Sequence, residues 1–179
     1  WRGLPFSAGS LFFSISAQMI QGLPSGIAVR ASNKVDSMKN FRYKLSSLTG
    51  SCSGTGDVVL SYTLNGNEIP YSLQIPENKL LPGQNTLYIK RGETCNNFRL
   101  YSSSCLLSDI SEKDNSVVFS FYSSVPAQFY FQNFDKIKSI EILEESNKKA
   151  SYNLVPMPQT SITMLETDAR GNIVVKVVL

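Results

Sequence analysis

A chain of 179 residues with 42% hydrophobic residues can bury roughly 70% of its unfolded surface in one domain, so it needs no disulfide or metal to fold. Charged residues make up 17%, with a net charge of +3, less than the roughly 25% charged content of ordinary soluble domains; Ser, Thr and Asn supply polar surface instead. So small a charge, basic over the first hundred residues and slightly acidic beyond them, argues against a nucleic-acid partner, and no run reaches the ~18 apolar residues of a membrane-spanning helix.

In chain order, alternating apolar and polar residues predict strands at 11–18, 27–31, 40–46, 57–64, 69–75, 86–91, 97–102, 116–122, 127–132, 137–143, 150–155, 160–166 and 172–178. The first has Leu11, Phe13 and Ile15 alternating with Ser10, Ser14 and Ser16. That is a strand pattern rather than a signal-peptide core, and a chain opening on Trp1 reads as a mature form or a fragment. Helix is scarce. Residues 35–41 have room for one short turn, and 136–146 fit both periods, with the strand favoured.

Turn chemistry sets the joints. Asn65-Gly66 tolerates positive φ at both central positions of a tight hairpin, and Pro82-Gly83 matches a type II turn. The run 50–56 reads by composition as a flexible loop. Asp109, Ser111, Asp114 and Asn115 offer oxygen atoms, but without the glycine and acid spacing of a calcium loop they read as a polar turn. Pro156 and Pro158 demote 155–159 to a connection or an edge. The closing run 173–179 is apolar on both faces, which demands cover in mid-sheet or from another copy of the chain.

Together these elements predict an all-β chain, a single domain over 1–179 built as a two-sheet antiparallel β-sandwich with little helix. As a fold the pattern resembles the jelly-roll and immunoglobulin-like sandwiches of adhesins, carbohydrate-binding modules and virion proteins, and fold alone does not fix function.

The chain has no histidine, which removes the base of the familiar Ser and Cys triads and dyads. Asp109, Glu112, Asp114, Glu141, Glu144 and Glu145 are raw material for a carboxylate pair, but their spacing does not set two of them across a cleft. No phosphate loop or dinucleotide fingerprint occurs, and the three cysteines lack metal-ligand spacing. The expectation is a non-enzyme without metal or cofactor. Cys95 and Cys105 either bridge or stay as thiols.

Aromatic residues cluster at 119–134. Phe119, Phe121, Phe129 and Phe131 are expected between the sheets, turning Tyr122 and Tyr130 outward as a platform for a glycan or protein receptor. The functional expectation is a recognition or adhesion module, extracellular, on a cell surface or a virion. The alternative is a self-assembling structural subunit (capsid, tail or pilus) that associates through its C-terminal strand.

Overall fold

The computed structural model describes residues 19–32, 34–113, 115–144 and 148–179; the strand expected at 11–18 and the acids Asp114 and Glu145 lie outside the described residues. Strands follow one another along the chain. The first eight are β1 (Ile20–Leu23), β2 (Gly26–Val29), β3 (Ser37–Tyr43), β4 (Ser46–Ser53), β5 (Val58–Leu64), β6 (Asn67–Glu68), β7 (Gln74–Pro76) and β8 (Gly83–Gly92). The rest are β9 (Arg99–Ser103), β10 (Leu106–Lys113), β11 (Ser116–Ser123), β12 (Ala127–Gln132), β13 (Ser139–Leu143), β14 (Tyr152–Pro156), β15 (Ile162–Thr167) and β16 (Gly171–Val178).

The all-β reading holds, since the described residues form no α-helix, only short 3-10 turns at Glu77–Lys79 and Phe134–Lys136. The two expected sheets are four, ordered β1-β2-β7, β3-β4-β8-β5-β6, β10-β11-β16-β13 and β14-β15-β12-β9. The purely antiparallel expectation fails at β4 and β8, which run parallel. The intervening chain is long enough for the crossover that parallel strands require.

The residues group into two compact units. Among the described residues, the first holds 19–22, Ala28–Ile69 and Leu81–Cys95; the second holds Leu23–Ile27, Pro70–Leu80 and Asn96–Leu179.

In the first unit, Leu48, Tyr62, Leu64, Leu87 and Ile89 are buried on one face of the five-stranded sheet. Gly50 sits among them on β4, where a Cβ would meet Met19 Sδ at 2.6 Å; glycine here makes room for the Met19 side chain. The run expected as a loop is therefore strand as far as Ser53. Arg91, 7% exposed, fixes the turn that follows, donating to Gly54 O at 3.1 Å, Asp36 Oδ1 at 2.6 Å and Ser32 O.

Both predicted turns of this unit form, and one buried amide ties them. Asn85 Oδ1 accepts from Asn65 Nδ2 at 2.8 Å and from Leu81 N at 3.0 Å, while its Nδ2 donates to Leu81 O at 2.7 Å and Gly83 O at 3.2 Å. Asn65 and Gly66 have φ of 52° and 83°, and Gly83 has 84°, the left-handed backbone these turn types require.

In the second unit the two four-stranded sheets pack face to face through the expected phenylalanines. Phe121 of β11 lies 4.5 Å from Phe129 of β12, and Phe119 lies 5.9 Å from Phe131, ring centroid to centroid. All four are at most 1% exposed, each burial stabilising the unit by about 1.5–3 kcal/mol. Mid-sheet is the cover found for the C-terminal run: β16 pairs with β11 on one side and β13 on the other, so neither edge is open to another copy. β14 is the edge strand of its sheet and ends at Pro156, a residue that edges tolerate and that blocks further pairing.

Candidate functional site

Inward placement of Phe129 and Phe131 turns Gln128, Tyr130 and Gln132 outward, because successive strand residues alternate faces. Register then sets Asn153, Glu166 and Gln128 in one row across β14, β15 and β12, with Val155, Met164, Tyr130 and Ser102 in the next. Tyr130 Oη donates to Gln128 Oε1 at 3.0 Å, and Gln128 Nε2 donates to Glu166 Oε1 at 2.8 Å. This chain fixes which way the amide faces.

The row ends in a cleft of about 260 Å³ lined by Gln128, Glu166, Tyr152, Asn153 and Asp168 among others. Thr167 stiffens its floor by donating to Ser151 O at 2.6 Å and accepting from Ala169 N at 3.2 Å. Asn153 and Asp168 are exposed. Planar amides and carboxylates that converge beside an aromatic residue can grip adjacent hydroxyl groups in pairs, the chemistry a sugar presents.

Of the two tyrosines expected to bind ligand, Tyr130 adjoins this cleft through Gln128. Tyr122 does not. It lies on β11, in the other sheet of the unit, half exposed beside Leu106 and Asn172. The two tyrosines stand on the outer faces of opposite sheets, so they share no platform: sharing one would have required β11 and β12 to pair, and the chain instead crosses from sheet to sheet between them. Asn153, Glu166 and Asp168 were missed because only strand register shows them to be neighbours of Gln128.

Other sequence candidates resolve into structure. Asp109 lies within β10, its carboxylate accepting from Asn78 Nδ2 at 2.9 Å and paired with Lys79 Nζ at 3.1 Å. Burial raises its pKa, but the Asn78 and Lys79 hydrogen bonds and the Lys79 charge outweigh it, leaving the carboxyl below the ordinary value. With both side chains 40% exposed, screening holds the contribution to no more than about 0.5 kcal/mol. It is present above the unfolded value near 3.9 and lost as pH falls through the lower folded value. Urea midpoints at pH 6 and pH 3 for the wild type and Asp109→Asn should therefore differ slightly at pH 6 and converge at pH 3; a larger gap at pH 3 would contradict this assignment.

Among the described residues no acid or cysteine cluster has metal-ligand geometry, and Cys52, Cys95 and Cys105 are free thiols. Burial, only partly offset by the Arg91 charge, raises the Cys52 pKa, which lowers its thiolate fraction. Of the basic residues Arg42, Lys44, Lys90, Arg91 and Arg99, the only material for a nucleic-acid-binding stripe, Arg91 and Arg99 are buried. Arg99 Nε donates to Gln132 Oε1 at 2.8 Å. Comparison with protein-family models, curated proteins and solved structures finds no match, so the functional reading rests on these residues themselves.

Proposed function

We propose that this chain is a non-catalytic recognition module of a cell or virion surface that binds a glycan in the Gln128–Glu166 cleft, carried on a jelly-roll or immunoglobulin-like sandwich. The observation that supports it most is the Tyr130–Gln128–Glu166 hydrogen-bond chain. It presents an oriented amide and carboxylate on rigid strands before any ligand arrives, which reduces the ordering cost of binding. The self-assembly reading drew on the C-terminal run, and that run is paired on both sides.

A glycan array followed by calorimetry on the best ligand tests the proposal. Asn153→Ala and Asp168→Ala remove exposed groups and should leave folding intact, yet each should weaken binding by about 1–2 kcal/mol, roughly five- to thirtyfold. Absence of any glycan ligand, or full affinity in both variants, would overturn it.

A further inference from the structure

We infer that the first unit carries a second, independent contact surface at the β3–β4 hairpin tip, and that its partner is an anionic lipid surface. Tyr43 pairs with Ser46, leaving Lys44 and Leu45 as a two-residue turn. Such turns favour Asn-Gly or Gly-first sequences. Here Lys44 takes the positive φ, at 50°, a conformation that costs a residue with a long side chain.

The strained turn displays Leu45, which is 83% exposed. Beside it stands Leu81, 56% exposed, its loop tied to the hairpin by Gly83 N donating to Leu45 O at 2.9 Å and Ser46 Oγ donating to Leu81 O at 2.9 Å. Two leucines are thus held out together on a rigid base.

Charge selects the partner. Residues 37–56 contain Lys39, Arg42 and Lys44 and no Asp or Glu. Arg42 and Lys44 line the hollow of about 510 Å³ that runs beside Leu45, and the Lys44 ammonium lies 5.4 Å from the centre of the Tyr43 ring. A neutral protein groove would satisfy the leucines alone, and a soluble polyanion the bases alone. A lipid bilayer with acidic headgroups takes both, burying the apolar tip at the headgroup boundary while the bases meet the phosphates. Two leucines and a few bases form a weak, reversible anchor, fitting for a module that lies against a surface without crossing it.

Co-sedimentation of the full chain with phosphatidylcholine vesicles, with and without phosphatidylserine, tests the inference. The wild type should bind the phosphatidylserine vesicles and leave pure phosphatidylcholine in the supernatant. Leu45→Ser combined with Leu81→Ser, both exposed positions, should lower the partition coefficient at least about tenfold. Arg42→Glu should lower it about fivefold or more, and raising the salt from about 0.05 to about 0.5 M should weaken it further. Asn153→Ala with Asp168→Ala should bind vesicles as the wild type does, which separates this surface from the glycan cleft. No wild-type binding, leucine-independent binding, or binding to heparin that the double leucine variant retains while vesicles are ignored would overturn it.

Discussion

Replacing Phe129 with alanine should destabilise the second unit by about 3–5 kcal/mol, the largest single effect expected in this chain. Phe129 has no exposed surface and its ring faces Phe121 at 4.5 Å, so truncation removes a large apolar area and opens a cavity between two sheets whose backbones are hydrogen-bonded in place and cannot readily collapse. A natural domain has only about 5–15 kcal/mol in reserve, so the variant should populate unfolded forms at room temperature. Urea unfolding followed by far-ultraviolet circular dichroism should show a lower midpoint at unchanged slope. The milder pair Phe121→Leu and Phe129→Leu, made singly and together, should couple by about 0.5–1.5 kcal/mol, the added value of an aromatic contact. A Phe129→Ala cost under about 1 kcal/mol would mean that this ring is not between the sheets.

The second large effect is expected at Asn85, which is fully buried and makes four hydrogen bonds. Asn85→Leu keeps the branched heavy-atom skeleton, in a bulkier form, but orphans groups of Asn65, Leu81 and Gly83, for a cost of about 2–4 kcal/mol. Asn85→Asp is more diagnostic. The side-chain nitrogen that now donates to two carbonyls would become an oxygen facing them, so the acid must keep its proton to fit, and its folded-state pKa rises above the unfolded value near 3.9. Below that value both states are protonated and the variant should cost about 1 kcal/mol. As pH climbs, the unfolded chain ionises first and stability falls, reaching a deficit of about 3–4 kcal/mol near pH 7. Asp109, whose pKa is lowered, has the opposite sign. A deficit in Asn85→Asp that is flat with pH would contradict the hydrogen-bond assignment.

Much of the strand plan was legible in the sequence, because β11 and β12 alternate strongly enough for period two to stand out and β16 is a continuous β-prone apolar run. β12 falls on the expected residues, and the Asn65-Gly66 turn forms as its residue types demand. Among the strands that escaped, β4 and β10 did so for identifiable physical reasons. β4 has one large apolar residue, Leu48; its other inward positions are the small residues Ser46, Gly50 and Cys52, and Met19 fills the space over Gly50. Its signal was polar instead: Ser or Thr at 47, 49, 51 and 53, facing solvent beside Tyr88, whose Oη donates to Ser53 Oγ at 2.6 Å. In β10 the bulge between Leu107 and Asp109 breaks the alternation, so Leu107 and Ile110 fall out of step and the segment reads as a polar turn. The division into two units leaves no mark in composition, since the chain passes from one to the other without a flexible linker.

The cleft was legible only in part. Outward projection of Tyr130 follows from the phenylalanines beside it, but its neighbours come from β14 and β15, and no local pattern says which strands a sheet will place side by side. The Leu45 tip was invisible for a related reason: a Lys-Leu pair carries none of the residue preferences that mark a two-residue hairpin, so the segment 40–46 reads as one strand and not as the turn between two.

A nuclear magnetic resonance titration of the isotope-labelled chain with the array-selected oligosaccharide tests the recognition reading most directly. The account predicts amide shifts concentrated at Gln128, Asn153, Glu166 and Asp168, including the Gln128 side-chain amide, with Leu106, Tyr122 and Asn172 on the opposite face unmoved. Shifts centred on Tyr122, or no shifts at saturating ligand, would contradict it.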